Sequence, residues 1–107
     1  MDLKQLFAKR ELIPAVVQDV NTNEVLMLAY MNEESLNITL ETGKVCFFSR
    51  SRNELWVKGE THGHYQYVRE IMADCEMNSL LIKAEQIGVP CHTGARTCFF
   101  NRVFGEK

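Results

Sequence analysis

Three cysteines near the C-terminal end carry the residue types and spacing for metal chemistry: Cys75, Cys91 and Cys98. Cys91 and Cys98 bracket a polar loop, Cys91-His92-Thr93-Gly94-Ala95-Arg96-Thr97-Cys98. Cys75 stands among oxygen-bearing side chains in Ala73-Asp74-Cys75-Glu76-Met77-Asn78. Three thiolates can hold a zinc ion and leave its fourth position open for water, whereas a closed structural site takes four protein ligands. The spacing is not the CxxC of a zinc finger, and two small core thiols at 91 and 98 would give the same pattern. Pro90 and Gly94 favour a turn that folds both thiols toward one point. Cys46, inside an apolar run, reads as a buried free thiol.

Other residues suit supporting roles. If residues 72–78 are extended, Asp74, Glu76 and Asn78 line one face, because alternate residues of a strand share a side. Three oxygens there suit a hard cation such as Mg²⁺; an exposed acidic strand edge would look the same. His92 adjoins Cys91 and is the first candidate for a general acid or base. His62 and His64 lie in the loop Lys58-Gly59-Glu60-Thr61-His62-Gly63-His64, where a histidine is either solvated or catalytic. Three thiolates give zinc a net negative charge. Water there is acidified less than at a three-histidine site, where its pKa is about 7. Such a centre needs a base or a cationic substrate. Arg50, Arg52 and Lys58 suit phosphate groups, or form an ordinary charged hairpin.

These residues must be positioned by a small frame. The chain has 107 residues, read as one domain spanning 1–107, with 46% hydrophobic and 24% charged residues. That is a globular composition. A net charge of −2 offers no bulk attraction to nucleic acid or an anionic membrane. No apolar stretch is long enough for a transmembrane helix, and the N-terminus is too polar for a signal peptide, so a cytoplasmic location is expected. Thiols stay reduced there, which favours metal binding or catalysis over disulfides.

Leu3, Leu6 and Phe7 suit a short amphipathic helix. Ala15–Val20 and Val25–Met31, joined by Asn21-Thr22-Asn23, read as a β-hairpin. Asn32 caps a helix that ends at Gly43 and is expected to bury Leu36 and Leu40. Val45–Ser49, Glu54–Val57, Tyr65–Cys75 and Ser79–Glu85 read as further strands, and Thr97–Phe104 is apolar and aromatic. The expected fold is α+β, mostly β, a bent sheet or open barrel with one or two short helices.

Together these segments resemble the phosphoribosyl-AMP cyclohydrolase family of histidine biosynthesis, from about Leu12 to Arg102. The resemblance is carried by Pro14–Asp19, Val25–Asn32, Ser49-Arg50-Ser51-Arg52, Leu55–Thr61, Asp74-Cys75, Cys91-His92-Thr93-Gly94 and Cys98-Phe99. It implies an intertwined homodimer in which Cys75 of one subunit shares zinc with Cys91 and Cys98 of the other. It also implies a magnesium site on the acidic strand and hydrolysis of the purine N1–C6 bond of 1-(5-phosphoribosyl)-AMP. In this reading His92 and His64 are catalytic, and Arg50, Arg52, Lys58 and Glu60 bind the nucleotide substrate. N1 alkylation gives the ring the cationic character that an anionic zinc centre needs.

Two departures stand out. The family's Asp-Cys-Asp-x-Asp reads Asp74-Cys75-Glu76-Met77-Asn78 here, and a serine of the family's loop is His62. The first weakens the expected Mg²⁺ site. Both leave room for a diverged paralogue acting on another N1-modified purine or amidine, or for a catalytically silent zinc-binding dimer. The signature of the zinc nucleobase deaminases is not met.

Overall fold

The structure, a computed structural model, describes residues 2–105. Its frame grows from alternation. Strand β1 (Ile13–Asp19) buries every second residue, Ile13, Ala15, Val17 and Asp19. Strand β6 (Leu80–Gln86) does the same with Leu80, Ile82 and Ala84. Two strands with period-two burial present one apolar face each. They lie side by side in parallel, Ala15 opposite Leu80 and Asp19 opposite Ala84.

The expected hairpin forms. Strand β2 (Val25–Met31) runs antiparallel to β1, with a bulge between Val17 and Gln18. Strand β5 (Gln66–Ala73) runs antiparallel to β6, giving a four-stranded sheet in the order β2-β1-β6-β5. A short hairpin, β3 (Cys46–Ser49) and β4 (Glu54–Val57), makes a second sheet. Residues before β3 tie it to the edge of the first sheet: the Val45 amide donates to the Gln66 carbonyl at 3.0 Å, and that of Val68 to Gly43 at 2.9 Å. The fold is mostly strand, as expected, and among the described residues neither sheet closes into a barrel. Phe47, fully buried, packs against Trp56 with ring centroids 5.2 Å apart.

A 3-10 helix covers Leu3–Phe7, and helix α1 covers Glu33–Thr42. Both ends of α1 follow from local chemistry. The Asn32 carboxamide oxygen accepts from the Ser35 amide at 2.8 Å, and the Ser35 hydroxyl accepts from the Asn32 amide at 2.9 Å. This reciprocal pair is a capping box with serine in place of the usual glutamate. Gly43, at φ +77°, closes the C-terminus with its amide on the Thr39 carbonyl.

The buried face of α1 differs from expectation. Leu36 is buried, but Leu40 is 52% exposed, and Ser35 and Thr39 are buried instead. The reason lies in β3. The Thr39 hydroxyl accepts from the Cys46 amide at 2.9 Å and donates to the Ser35 carbonyl at 2.9 Å. The helix thus turns its small polar residues inward to satisfy the first amide of the strand.

The acidic segment is also different. Residues 74–79 are not extended; they form the turn between β5 and β6, with Met77 at φ +57°. Asp74, Glu76 and Asn78 therefore do not share one strand face. Thr97–Phe104 forms no strand.

Candidate active site

The β3–β4 hairpin, the loop after it and the segment after β6 enclose a cavity of about 610 Å³. Ser49, Ser51 and Arg52 stand on one side, and Trp56, Lys58, Glu60, His62 and His64 on another. Pro90, Cys91, His92 and Gly94 complete the wall. The structure thus gathers seven of the residues singled out in the sequence, Arg52, Lys58, Glu60, His62, His64, Cys91 and His92. Trp56 and Pro90, read as plain structural residues, join them. Only tertiary folding could bring them there.

The segment 91–98 is pinned at both ends. Gly94, at φ +89°, lets its amide turn back to the Cys91 carbonyl at 2.9 Å. At the other end the Cys98 amide donates to the Leu26 carbonyl at 2.7 Å, and the Thr97 hydroxyl to that of Val25 at 2.7 Å. Arg96 donates to Glu24 at 3.1 Å and lies 3.9 Å from buried Asp19. The loop is therefore laid against the start of β2, and its two thiols come together.

Electrostatics distinguishes those thiols. Cys91 is held below its ordinary value, first by its contact with the Thr93 hydroxyl at 3.0 Å, then by the Thr93 backbone, with smaller help from Cys98 and the Lys58 charge. Cys98 is pushed up by burial and by the neighbouring Cys91. Lys58 is pushed down by burial, opposed by both thiols. Its ammonium donates to the Pro90 carbonyl and sits 5.6 Å from the Trp56 ring centre. A thiol whose neighbours favour its anion is the chemistry of a metal ligand or nucleophile. Thr93, two residues after Cys91 in a glycine turn, has no chemical role assigned to it from the sequence, although a hydroxyl at that offset is a recognisable turn signal.

Several expected residues lie elsewhere. Cys75 is exposed on the β5–β6 turn. Among the described residues no three His, Cys, Asp or Glu side chains converge as a metal site within one chain. Arg50 lies outside the cavity wall, its guanidinium 3.8 Å from the Tyr30 ring centre, a cation–π contact. Arg52 pairs loosely with Glu54 at 3.7 Å, both exposed.

In the turn, the Asp74 carboxylate accepts from the amides of Asn78 at 2.9 Å and Ser79 at 3.1 Å. These bonds, that of Asn78 foremost, hold it below the usual carboxylate range. With its amide nitrogen turned toward Asp74, the Asn78 side chain donates to Oδ2 at 3.0 Å and Oδ1 at 3.3 Å.

Comparison with known proteins gives one result. Residues 27–100 match the family model described as phosphoribosyl-AMP cyclohydrolase. A phosphoribosyl-AMP cyclohydrolase of Streptococcus mutans is 54% identical over 107 residues, covering 99% of this chain and 98% of its own. One of Clostridium beijerinckii is 63% identical over 89 residues, 83% of this chain and 82% of its own. The histidine biosynthesis bifunctional protein HisIE of Thermoanaerobacter pseudethanolicus is 53% identical over 106 residues, 98% of this chain but 49% of its own.

Proposed function

The chain belongs to the phosphoribosyl-AMP cyclohydrolase family, enzymes of histidine biosynthesis, and on that footing we propose that it hydrolyses the N1–C6 bond of 1-(5-phosphoribosyl)-AMP with zinc as cofactor. The observation that carries this reading is the pair of thiols, Cys91 and Cys98, brought together beside a cavity that also holds His92 and His64.

The donor set suits zinc. Two soft thiols meet, one of them already biased toward its anion, and a lysine ammonium balances charge nearby. One chain supplies two thiols; Cys75 of a second copy is the third. When bound, zinc supplies the Lewis acidity that makes water a nucleophile near neutral pH. His92, exposed on the wall beside Cys91, takes a proton from the water that attacks C6. It returns that proton to N1 as the C6–N1 bond breaks, while the hydroxyl left on C6 releases its own proton to solvent and becomes the carboxamide oxygen. His64, on the facing loop, orients the purine edge. Arg52 at the rim meets one phosphate group, and Arg50, stacked on Tyr30, lies beyond it for the other. Lys58 is placed to offset thiolate charge.

Magnesium fits the turn poorly. Asp74 already accepts two backbone N–H bonds, and Asn78 offers it a donor. No step of the reaction is assigned to that ion.

The surface supports a homodimer. Phe99 and Phe100 are 60% and 52% exposed, and Val103 and Phe104 are 99% and 93% exposed. Four such side chains in one short segment need a cover.

The deciding experiment is turnover of phosphoribosyl-AMP by purified zinc-loaded protein, followed by the absorbance of the opened product. Native protein turns over and Cys91→Ala does not. A zinc-loaded dimer that leaves the substrate intact would overturn the catalytic reading and leave a metal-binding protein.

A further inference from the structure

His64 is gripped from three sides. A Cβ on Gly59 would stand 2.2 Å from the His64 carbonyl carbon and oxygen, so the loop folds back on itself only because residue 59 is glycine. A Cβ on Gly88 would stand 2.6 Å from Cδ2 of the His64 ring, so the imidazole lies flat against bare backbone. The His64 carbonyl accepts from the Gln86 side-chain amide at 3.3 Å.

Gln86 is itself held. Its Nε2 also donates to the Ile87 carbonyl at 2.8 Å, and its Oε1 accepts from the Gln66 Nε2 at 2.8 Å. Gln66 and Gln86 face each other as the first pair of the β5–β6 ladder. An amide can point either way, and here the donor from Gln66 fixes which end of Gln86 reaches His64. Gln66 is fully buried, makes its other contact with the Met27 sulfur at 3.4 Å, and among the described residues leaves its own Oε1 without a partner. Such an orphaned acceptor is costly, and an apolar residue would fill the site without that cost.

We propose that Gln86, oriented by Gln66, is a positioning residue that fixes His64 in the cavity wall through its main-chain carbonyl while Gly88 seats the ring. The proposal rests on the cyclohydrolase reading for its effect on rate, and not for its effect on geometry. Gln86→Leu keeps the volume roughly and removes both donors.

Two measurements test it. In protein labelled at histidine Cε1, each of the three imidazole signals is assigned by single substitution. Gln86→Leu should shift or broaden the His64 signal and leave that of His92 in place. An unmoved His64 signal overturns the proposal, whether or not the protein turns over phosphoribosyl-AMP.

The second measurement is a double-mutant cycle on kcat. Gln86→Leu should lower kcat about tenfold or more in the native background, since misplacement by about 1 Å can cost a hundredfold. In a His64→Ala background the same change should matter less than about twofold. Equal losses in both backgrounds would show that Gln86 acts on stability or elsewhere. Full activity of His64→Ala would likewise sink the role given to Gln86. Failure of the native protein to turn over would instead count against the cyclohydrolase reading.

Discussion

At the scale of single residues, the four thiols divide by environment. Cys46 is buried, its amide on Thr39 and its Sγ 3.8 Å from the Phe47 carbonyl, a contact only the protonated thiol can donate. Burial first, then the charge of Glu60, pushes its thiol up. Its folded value therefore lies above its unfolded one. The stability it contributes is complete below about pH 8.5, the usual thiol range, and is lost as pH rises toward the folded value. Urea midpoints between pH 7.5 and 10 should fall more steeply for native protein than for Cys46→Ala. Parallel curves would show that the thiol is not shielded. Metal analysis separates the others: Cys91→Ala should lose bound zinc and Cys46→Ala keep it, and equal zinc in both would remove Cys91 from the site. Cys91, Cys98 and His92 were legible in the sequence because a reactive residue type in a glycine turn is a local signal. The company they keep, Trp56 and Lys58 from another hairpin, was legible only as residue types, since no local rule joins positions so far apart.

At the scale of elements, the turn between β5 and β6 is the instructive case. Asp, Glu and Asn at alternate positions look like one face of a strand, but the same residues are turn formers. Asp74 chose the turn by accepting from the two amides that follow it, and Met77 took a left-handed conformation that its residue type does not announce. Helix α1 was readable at both ends because caps are written in adjacent residues. Its buried face was not, because Thr39 answers to Cys46 in another element. The turn yields a prediction. Asn78→Asp would set a second carboxylate about 3 Å from Asp74, with strong like-charge repulsion. The variant should melt below the native protein without Mg²⁺ and recover with millimolar Mg²⁺, while the native melting temperature barely responds. A native protein that gains as much from Mg²⁺ as the variant would show that the turn already holds the ion.

At the scale of the whole molecule, the exposed apolar segment and the proposed zinc ligand set, to which one chain brings two thiols, make a dimer the assembly to test. Val103 and Phe104 are almost wholly exposed, so charging them costs the single chain little. Val103→Asp with Phe104→Asp should shift sedimentation at micromolar concentration toward monomer, and unchanged sedimentation would place the interface elsewhere. The parallel pairing of β1 with β6 reaches further still. Ala15 waits for Leu80, so the centre of the sheet cannot form until most of the chain exists. On a ribosome, the β1–β2 hairpin emerges with an apolar flank bare and must stay unaggregated until β6 has cleared the exit tunnel. Closing such a distant pair is slow, in the range of about milliseconds to seconds rather than microseconds. Stopped-flow refolding with Trp56 as reporter should show that rate. A microsecond collapse to native fluorescence would mean that the sheet nucleates somewhere other than its centre.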